Sequence, residues 1–439
     1  MILNLKNLIP LNQVKFYKKL FQIKFLLLKI KKNLKLKVMP KFNRLKECVV
    51  SNKNVIVRVD INVPIVDGII EDDTRIKAVL PTLQYLAKNN AKTILIAHFG
   101  RPDGKFDDKM SLKLILHRLQ ELLSPIRVSF IDDCIGDKVR NAVLDTKYGE
   151  IIMLENLRFY KQETDNDHEF SAFLASLANL YVNDAFSCSH RSHASITGIP
   201  TILKSCAGLQ MEYELDNLTN LLENAQKPMM AIVGGAKVST KIDLLKSLAT
   251  KSQAIVVGGG MANTFLHALG YNVGKSLYEK DLKDTSLEII EIAKINNCEI
   301  ILPNDVVVVN EFKAHSPYSI KSISLVNDNE IIVDIGENSI QKLLEKLQNF
   351  KTVLWNGPVG AFEIKPFNRG TESIAKIIAD LTDQKKLLSI AGGGDVVSAL
   401  NGCDLAKKFT YISTAGGAFL EWLEGKELPG ILALNKQNK

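Results

Sequence analysis

The sequence is poor in cysteine, and its cysteines do not follow a metal-binding or disulfide pattern. The chain has 439 residues and six cysteines, and no two of these form a CxxC pair. They are scattered along the chain, at Cys48, Cys134, Cys188, Cys206, Cys298 and Cys403. This spacing argues against a zinc site and against a disulfide framework. We therefore expect reduced thiols and a cytoplasmic location.

The sequence also lacks a nucleophilic catalytic motif and a complete generic nucleotide motif. No Ser/His/Asp or Cys/His arrangement is evident, and the segment SCSH lacks the pattern of a nucleophile elbow. Residues 270–276 (GYNVGKS) have three residues between their glycines, where a P-loop needs four, so we interpret them as a surface turn. GGGMAN begins like a dinucleotide fingerprint, but Asn263 stands where the third glycine belongs.

No long apolar run occurs in the N-terminal segment, residues 1–38. Its longest uncharged apolar run, residues 25–28, is too short to cross a membrane. The segment holds ten lysines and no acid or arginine, so of the net charge of +8 only about −2 remains for the rest of the chain. The body therefore lacks the basic excess of a nucleic-acid-binding protein. The segment is compatible with an organelle-targeting leader, an amphipathic surface-binding helix, or sequence upstream of a true start at Met39.

Short runs rich in β-branched residues alternate with helical patterns from Asn54 onward. Examples are NVIVRV, KTILIA, AIVVGGG and LLSIAGGG. Apolar strands that alternate with helices predict parallel sheets covered on both faces, and a chain of this length predicts two domains. We expect two Rossmann-like three-layer α/β/α domains with mostly parallel sheets, joined by a hinge helix that starts near Gly208. The predicted bounds are 39–207 for the N-terminal domain and 208–425 for the C-terminal domain.

Polar and cationic residues follow the predicted strands of the first half. RVDINVP places Asp60 and Asn62 on one face of a strand, and HFGRP places His98 and Arg101 in one strand-end loop. The other cationic residues of this set are Arg75, Arg158, His190 and Arg191. Arginine forms paired hydrogen bonds with carboxylate and phosphate, so the set predicts a small substrate with more than one negative group. Metal binding by His190 and His193 is the alternative, although no third ligand with suitable spacing is present.

Glycine-rich loops follow the predicted strands of the second half. GGAK, GGGMA, GGGD and AGGAF each come between a strand pattern and a helical pattern. Helix N-termini expose unpaired N–H groups, and glycine lets the backbone approach phosphate closely, so several such loops predict a polyphosphate ligand. Lys237 and Lys241 lie four residues apart, and on a helix that begins there both ammonium groups would project from one face.

The segment WNGPVGAFE turns directly after a predicted strand. One interpretation is the wall of a base or ribose pocket, in which Glu363 accepts hydrogen bonds from ribose hydroxyls. The other is an ordinary corner between a strand and a helix. The chemistry of the segment alone does not decide between them.

Taken in chain order, these motifs resemble those of the phosphoglycerate kinase family. The resemblance rests on RVDINVP, HFGRP, LENLRF, VNDAF with HRSHAS, GGAKVSTKI, GGGMANTFL, LWNGPVGAFE, GGGD and ISTAGGAFLEWLEGKELPG. It covers nearly everything after Met39 and excludes residues 1–38. It implies a Mg-dependent enzyme of glycolysis and gluconeogenesis that reversibly transfers the acyl phosphate of 1,3-bisphosphoglycerate to ADP, giving 3-phosphoglycerate and ATP.

The resemblance also implies site residues. The positions that match the phosphoglycerate site of the N-terminal domain are Asp60, Asn62, Arg75, His98, Phe99, Gly100, Arg101, Arg158, His190 and Arg191. The positions that match the nucleotide site of the C-terminal domain are Gly235, Ala236, Lys237, Lys241, Gly259, Asn356, Pro358, Glu363, Gly392, Gly393, Gly394, Asp395 and Val396. Arg75, Lys237 and Lys241 would be catalytic, and Asp395 would hold Mg²⁺. The domains would close about the hinge, and the tail, residues 426–439, would pack back on the N-terminal domain.

The absence of a nucleophilic catalytic motif agrees with the implied reaction. Both reacting oxygens are already anionic at neutral pH, so they need alignment and charge neutralisation instead of a base. We expect a monomer whose partners are small molecules, with no nucleic-acid partner and no stable membrane insertion. Three residues depart from the usual pattern of the family: Val396 replaces Thr, Ala415 replaces Gly and Phe419 replaces Ser. The alternative is therefore a catalytically impaired nucleotide-binding protein on the same scaffold.

Overall fold

Two six-stranded sheets organise the computed structural model of the chain. The structure describes residues 42–223, 225–413 and 415–435, with the backbone alone for residues 220–223. The predictions for residues 1–38 and for the last four residues of the tail lie outside these ranges. Neighbouring strands of both six-stranded sheets run parallel. Helices alternate with these strands, which confirms the predicted α/β fold class.

The first parallel sheet is built from residues 54–207. The strands of this half are β1 (Asn54–Val59), β2 (Ile65–Val66), β3 (Ile69–Ile70), β4 (Lys92–Ile96), β5 (Val128–Phe130), β6 (Ile151–Met153), β7 (Leu180–Asp184) and β8 (Ser205–Ala207). Its helices are α1 (Thr74–Lys88), α2 (Lys113–Leu123), α3 (Asp137–Asp145), α4 (Lys161–Thr164) and α5 (His168–Ser176). The sheet order is β5-β6-β4-β1-β7-β8, and β2 and β3 form a separate hairpin.

Strand β1 shows why this sheet is covered on both faces. Every residue of β1 after Asn54 is buried. Val55 and Val57 belong to one apolar cluster, whereas Ile56 belongs to another. Successive side chains of a strand point to opposite faces, so the two clusters lie on the two sides of the sheet. The continuous run of β-branched residues is what a central parallel strand requires.

The second parallel sheet is built from residues 229–413. The strands of this half are β9 (Met229–Val233), β10 (Ala254–Val257), β11 (Glu299–Ile301), β12 (Asp305–Val309), β13 (Tyr318–Ser322), β14 (Ile331–Ile335), β15 (Thr352–Asn356), β16 (Leu388–Gly392) and β17 (Tyr411–Ser413). The helices from the connection onward are α6 (Leu209–Glu223), α7 (Ile242–Ala249), α8 (Gly259–Ala268), α9 (Lys283–Ile295), α10 (Glu337–Leu347), α11 (Arg369–Asp383), α12 (Gly394–Gly402), α13 (Gly417–Leu423) and α14 (Pro429–Asn435). The order of the parallel sheet is β11-β10-β9-β15-β16-β17.

A small antiparallel sheet, ordered β13-β12-β14, was not predicted. Strand β12 reads as an apolar run, like the parallel strands. Strand β13 is mostly exposed and includes Tyr318 at 52% and Ile320 at 47% exposure. Its sequence therefore lacks the buried apolar run from which the other strands were predicted.

Helix α6 connects the two parallel sheets, at the position predicted for the hinge helix. Asp184, at the end of β7, caps the start of α6, because its Oδ1 accepts hydrogen bonds from the N–H groups of Gln210 at 2.9 Å and Met211 at 3.0 Å. Met211 belongs to an apolar cluster that includes Ile56 of the first sheet and Ala231 of the second. The helix therefore packs against both halves of the chain.

The end of the described chain lies against the first half. Helix α14 contacts residues 194–201 and strand β8. The N–H of Gly430 donates a hydrogen bond to the carbonyl oxygen of Ser189 at 2.8 Å, and a Cβ added at Gly430 would lie 2.8 Å from Ile196. This close approach explains why a residue without a side chain occupies the start of α14.

Candidate active site

Asp60 follows β1 directly. It organises a group of cationic side chains at the carboxyl ends of the strands of the first sheet, which we call the mouth of the first half. Its carboxylate accepts hydrogen bonds from Arg75 at 3.1 Å, from the N–H of Asn62 at 3.1 Å, and from the Ser187 hydroxyl. Arg75, in the first turn of α1, also donates to the carbonyl oxygen of Asn62 at 3.1 Å. The Arg75 side chain remains 37% exposed, so it is oriented by Asp60 and still accessible to a ligand.

Two asparagines hold the loop of residues 98–101. The N–H of Gly100 donates to Asn62 Oδ1 at 2.9 Å, and Gly100 has a φ of +60°, a backbone conformation that favours glycine. The buried Asn156 accepts from the Phe99 N–H at 3.1 Å and donates to the Phe99 carbonyl oxygen at 2.6 Å. No pattern in the sequence indicated a role for Asn156. Arg101, which ends the loop, is exposed.

Arg158 is a buried cation with unsatisfied hydrogen-bonding capacity. It is 8% exposed and donates to the Gly100 carbonyl oxygen at 2.7 Å. Its Nε has no hydrogen-bond partner among the residues that the structure describes. Burial, and then the positive charge of Arg191, lower the pKa of Arg158 to about 10. Such an arginine favours an anionic ligand, which would both accept a hydrogen bond and offset the charge.

Arg58, the last residue but one of β1, is a second buried arginine of this mouth, and no sequence pattern indicated it. It is 1% exposed and donates to Ser195 Oγ at 2.9 Å and to His98 Nδ1 at 3.0 Å. His98 is 5% exposed. Burial, followed by the charge of Arg58, holds the pKa of His98 well below its ordinary value. His98 is therefore neutral at physiological pH.

His190 and Arg191 lie where the two halves of the chain face each other. Arg191 Nε donates to His190 Nε2 at 3.2 Å. A Cβ added at Gly417, the first residue of α13, would lie 3.5 Å from His190 Nε2. The cationic mouth of the first half therefore borders a glycine loop of the second half.

A metal site in the first half is not favoured by the structure. In the described part of the chain, one group of side chains has the proximity of metal ligands, with ligand atoms within 4.8 Å of one another: Asp60, His98 and Cys188. Arg58 Nη2 lies 3.0 Å from His98 Nδ1 and 3.7 Å from Cys188 Sγ, so a guanidinium already occupies the group and would repel a cation. The predicted metal ligands, His190 and His193, are not in this group, and His193 Nδ1 lies 3.7 Å from Glu163 Oε1.

The mouth of the second half is the group of glycine loops and lysines at the carboxyl ends of the second parallel sheet. Lys241 is one of its cations. Its Nζ donates to the carbonyl oxygen of Gly234 at 2.7 Å and to that of Asn356 at 3.4 Å. Burial lowers the pKa of Lys241 to about 8, although the charge of Asp395 opposes this decrease. Carbonyl dipoles orient the ammonium without neutralising it, so its charge remains available to an anionic ligand.

The helix that would have placed Lys237 and Lys241 on one face does not begin at Lys237. Residues Val238–Thr240 form a 3₁₀ turn, and the α-helix begins at Ile242. Lys237 and Lys241 both precede these turns with a φ of −135°. The two side chains therefore differ in environment, because Lys237 is exposed whereas Lys241 is largely buried.

Three of the four predicted glycine loops open α-helices directly. These are GGGMA at α8, GGGD at α12 and AGGAF at α13. The glycines also let the loops pack backbone against backbone. A Cβ added at Gly234 would lie 1.8 Å from the Pro358 carbonyl oxygen, and one added at Gly259 would lie 2.9 Å from the Gly235 carbonyl oxygen. The loops around Gly234, Gly259 and Pro358 therefore pack directly against one another.

Asn356 joins the loop after β15 to the loop after β16. Its Nδ2 donates to the Gly392 carbonyl oxygen at 2.6 Å, and its buried Oδ1 has no hydrogen-bond partner within the described ranges. A Cβ added at Gly393 would lie 2.7 Å from Asn356 Nδ2. The segment that follows is longer than a simple corner, because α11 begins only at Arg369; Pro358 within it is buried and Glu363 is exposed.

The three departures from the family pattern are buried side chains. Val396 is 0% exposed and packs in the same apolar cluster as Trp355, so only its backbone N–H is available to a ligand. Ala415 and Phe419 are also buried, and a Cβ added at Gly392 would lie 2.4 Å from the Phe419 ring. Asp395, next to Val396 in the first turn of α12, is exposed.

The fold and the site define a class: an α/β protein with one mouth rich in arginine and one mouth built from glycine loops and lysine. Each mouth lies at the carboxyl ends of a parallel sheet, where ligands bind in such folds. The comparisons with known proteins identify the family within this class.

The model of the phosphoglycerate kinase family matches residues 45–426. The chain is 48% identical over 393 residues to a phosphoglycerate kinase of Rhodospirillum centenum, covering 90% of this chain and 99% of that protein. It is 50% identical over 394 residues to that of Bradyrhizobium diazoefficiens, covering 90% and 98%. The structure of phosphoglycerate kinase from Coxiella burnetii matches with a TM-score of 0.82 at 38% identity, covering 91% of this chain and 100% of that one.

The chain therefore belongs to the phosphoglycerate kinase family. It is a phosphotransferase whose reaction moves the acyl phosphate of 1,3-bisphosphoglycerate to ADP and back, a step of glycolysis.

Proposed function

We propose that the mouth after β1 binds phosphoglycerate and that the glycine loops of the second sheet bind ADP or ATP. The observation that supports this most directly is Arg158. It is buried, its Nε lacks a partner among the described residues, and its pKa is lowered by burial and by Arg191. An anionic substrate relieves both conditions. The nucleotide assignment is supported by Lys241, whose ammonium is held by carbonyl oxygens and interacts with the charge of Asp395, in the first turn of α12.

The residues proposed to act on the transferring group are Arg75 and Lys237. Arg75 is oriented by Asp60 and partly exposed, and Lys237 is exposed, so both can reach a ligand. Their positive charges would neutralise the oxygens of the transferring phosphoryl group, while Lys241 holds a nucleotide phosphate. The start of α13, at Gly417 beside His190, adds helix amides where the two halves meet.

Asp395 is the proposed ligand of Mg²⁺, the ion with which the family uses ATP or ADP. Its carboxylate is exposed in the first turn of α12, directly after the glycines of GGGD. A carboxylate oxygen beside a phosphate-binding loop fits Mg²⁺, which takes one or two carboxylates together with substrate phosphates. When bound, Mg²⁺ would supply positive charge that neutralises the nucleotide phosphates.

The domain bounds 39–207 and 208–425, with a tail from residue 426, remain our proposal. It is supported by the capping of α6 by Asp184 and by the contacts of α14 with residues 194–201. We also propose that the protein is a cytoplasmic monomer without a nucleic-acid partner. Within the described ranges, no helix has the length and apolarity needed to cross a membrane.

A coupled assay with 3-phosphoglycerate and Mg-ATP tests the assignments, using protein that begins at Met39. Arg75→Ala and Lys237→Ala should each lower kcat by about 10²-fold or more, as expected for groups that stabilise transition-state charge. Arg127→Ala and Lys294→Ala are matched controls, because Arg127 precedes β5 at the opposite end of the strands and Lys294 lies exposed on α9. If Arg75→Ala or Lys237→Ala turns over at the wild-type rate, the proposed role of that residue is wrong.

The alternative, a nucleotide-binding protein with impaired turnover, rests on Val396, which lacks the hydroxyl that Thr would place next to Asp395. It predicts that the unmodified chain binds ADP but does not turn over in the same assay.

A further inference from the structure

Arg58 is a fully buried cation whose direct hydrogen-bond partners are not carboxylates. Its side chain is 1% exposed. Its Nε donates to Ser195 Oγ at 2.9 Å, an Nη donates to the Val59 carbonyl oxygen, and Nη2 donates to His98 Nδ1 at 3.0 Å. Nη2 also lies 3.7 Å from Cys188 Sγ. Ser195 links Arg58 to a buried carboxylate, because it donates from Oγ to Glu163 Oε1 at 2.6 Å and from its N–H to Oε2 at 2.9 Å.

Glu163 fixes the direction of this hydrogen-bond chain. Glu163 is 0% exposed, and Ser195 uses its one hydroxyl proton to donate to it. The Ser195 oxygen must therefore accept from Arg58 Nε through a lone pair. The guanidinium of Arg58 cannot rotate without losing these hydrogen bonds in a buried environment, where an unsatisfied donor is costly.

The fixed guanidinium decides which nitrogen of His98 carries the proton. A guanidinium has donors and no acceptor, so His98 Nδ1 must present a lone pair to Arg58. The neutral ring then carries its proton on Nε2. We propose that Arg58 is a positioning residue that fixes His98 in the neutral Nε2–H form, so that His98 donates one hydrogen bond to an anionic oxygen of phosphoglycerate and contributes no charge. This inference rests on the proposed assignment of His98 to the phosphoglycerate mouth.

The surroundings of His98 oppose a second proton on the ring. The titratable and charged groups that face it are Arg58, Arg158, Arg191, His193, Cys188 and Asp60. Cys188 Sγ lies 3.9 Å from Nδ1, and burial raises the pKa of this thiol, so it is neutral. The Asp60 carboxylate is paired with Arg75 at 3.1 Å. The arginines therefore supply the positive charge of this mouth, and His98 supplies a directed donor.

A neutral donor suits a mouth that already holds two buried arginines, Arg58 and Arg158. An imidazolium at His98 would add another cation to the cluster whenever the substrate is absent, which a buried site disfavours. A neutral ring whose orientation is fixed through its other nitrogen loses little freedom when the substrate binds.

The ring nitrogens of His98 test the proposal in the full chain. Long-range ¹H–¹⁵N correlation spectra of protein labelled with ¹⁵N-histidine distinguish a protonated Nε2 from a protonated Nδ1. The His98→Gln variant assigns the signals of His98 among the seven histidines of the chain. We expect a proton on Nε2 alone, unchanged from about pH 5.5 to about pH 8, a range across which an ordinary histidine titrates. A proton on Nδ1, or a doubly protonated ring at neutral pH, overturns the proposal.

Replacing the positioning residue should release the ring. In Arg58→Met, we expect His98 to populate both neutral forms and to titrate at higher pH. We also expect KM for 3-phosphoglycerate to rise by about tenfold or more, with a smaller change in kcat, because a ground-state hydrogen bond to an anion is weakened. A His98 spectrum identical to that of the wild type overturns the proposal. If this variant does not fold, the wild-type spectrum still decides.

Lys92→Met is the matched control for loss of a buried cation from the same sheet. Lys92, the first residue of β4, is 6% exposed and donates to the carbonyl oxygens of Val143 at 2.7 Å and Leu144 at 3.1 Å. Its replacement should lower stability and leave both the His98 spectrum and KM unchanged. A wrong assignment of His98 to the phosphoglycerate mouth would give a different result from a wrong proposal about Arg58. In that case His98→Gln would leave KM for 3-phosphoglycerate unchanged, although the wild-type ring would still carry its proton on Nε2.

Discussion

Replacing Asp184 by asparagine should stabilise the folded chain at neutral pH. Asp184 is 2% exposed at the end of β7, where it accepts hydrogen bonds from the N–H groups of Gln210 and Met211 at the start of α6. Burial raises the pKa of Asp184 from 3.8 to about 6, although these N–H groups lower it in part. The fold therefore holds the ionised carboxylate at a cost in free energy.

The sign and size of the effect follow from the linkage between protonation and folding. A carboxyl group whose pKa is raised by folding stabilises the folded state most below its unfolded pKa of 3.8, and this contribution is lost as the pH rises through about 6. The difference between a pKa of 3.8 and one of about 6 corresponds to about 3 kcal/mol above pH 7 and to about 1.5 kcal/mol at pH 5. Asparagine keeps an oxygen for both N–H groups and carries no charge. Asp184→Asn should therefore be more stable than the wild type by up to these amounts, because the hydrogen bond from Thr82 to the carboxylate is weakened.

Urea unfolding followed by far-ultraviolet circular dichroism, at about pH 5 and about pH 8, measures the difference. Asp167→Asn is the matched control. Asp167 caps α5 by accepting from the Phe170 N–H at 2.8 Å, but it is partly exposed. Asn and Asp are similar N-caps, so this change should stay within about 0.5 kcal/mol at both pH values. An Asp184→Asn protein less stable than the wild type at pH 8 would refute the reasoning, because the ionic hydrogen bonds to α6 would then outweigh burial.

Three further perturbations test other parts of the structure. The hydrogen bond from Cys206 lowers the pKa of Cys48 to about 7, so alkylation of Cys48 by iodoacetamide should reach half its maximal rate near pH 7. Burial raises the pKa of Cys403, so this thiol should react more slowly than Cys48 at each pH; equal rates would contradict the prediction. Burial lowers the pKa of Lys241 to about 8, so KM for ADP should rise above that pH as the ammonium loses its proton; a constant KM in steady-state assays would exclude this. Val396→Thr buries a hydroxyl in an apolar cluster, so it should lower stability by about 1–2 kcal/mol and change kcat by less than about threefold, whereas a tenfold gain in kcat would show that the hydroxyl reaches the ligand.

The sequence predicts the parts of the site that neighbours in the chain define. Asp60 and Asn62 follow an apolar run with strand spacing, and this local pattern is enough to place them at the end of β1. The glycine loops are predictable for the same reason, because each directly follows a buried strand. In both cases the information lies within about ten residues of chain, and the parallel sheet then gathers the strand ends at one edge.

Other parts of the site depend on contacts that spacing does not contain. Arg58 lies inside the apolar run of β1, and Glu163 lies in a polar helical segment, so neither sequence context indicates the link through Ser195 that the structure shows. The error on Lys237 and Lys241 has a local cause: the 3₁₀ turn of Val238–Thr240 delays the α-helix, and a four-residue spacing does not distinguish the two geometries.

The central claim is that Arg75 of the first half and Lys237 of the second act on the same phosphoryl group. A double-mutant cycle of Arg75→Ala and Lys237→Ala, measured as kcat/KM in the coupled assay, tests it most directly. If the two side chains act on one phosphoryl group, the decrease in kcat/KM of the double variant should be about tenfold smaller than the product of the two single decreases, because residues that act together are not additive. Losses that multiply to within about threefold would show that the residues act on separate groups, and they would contradict the proposed site.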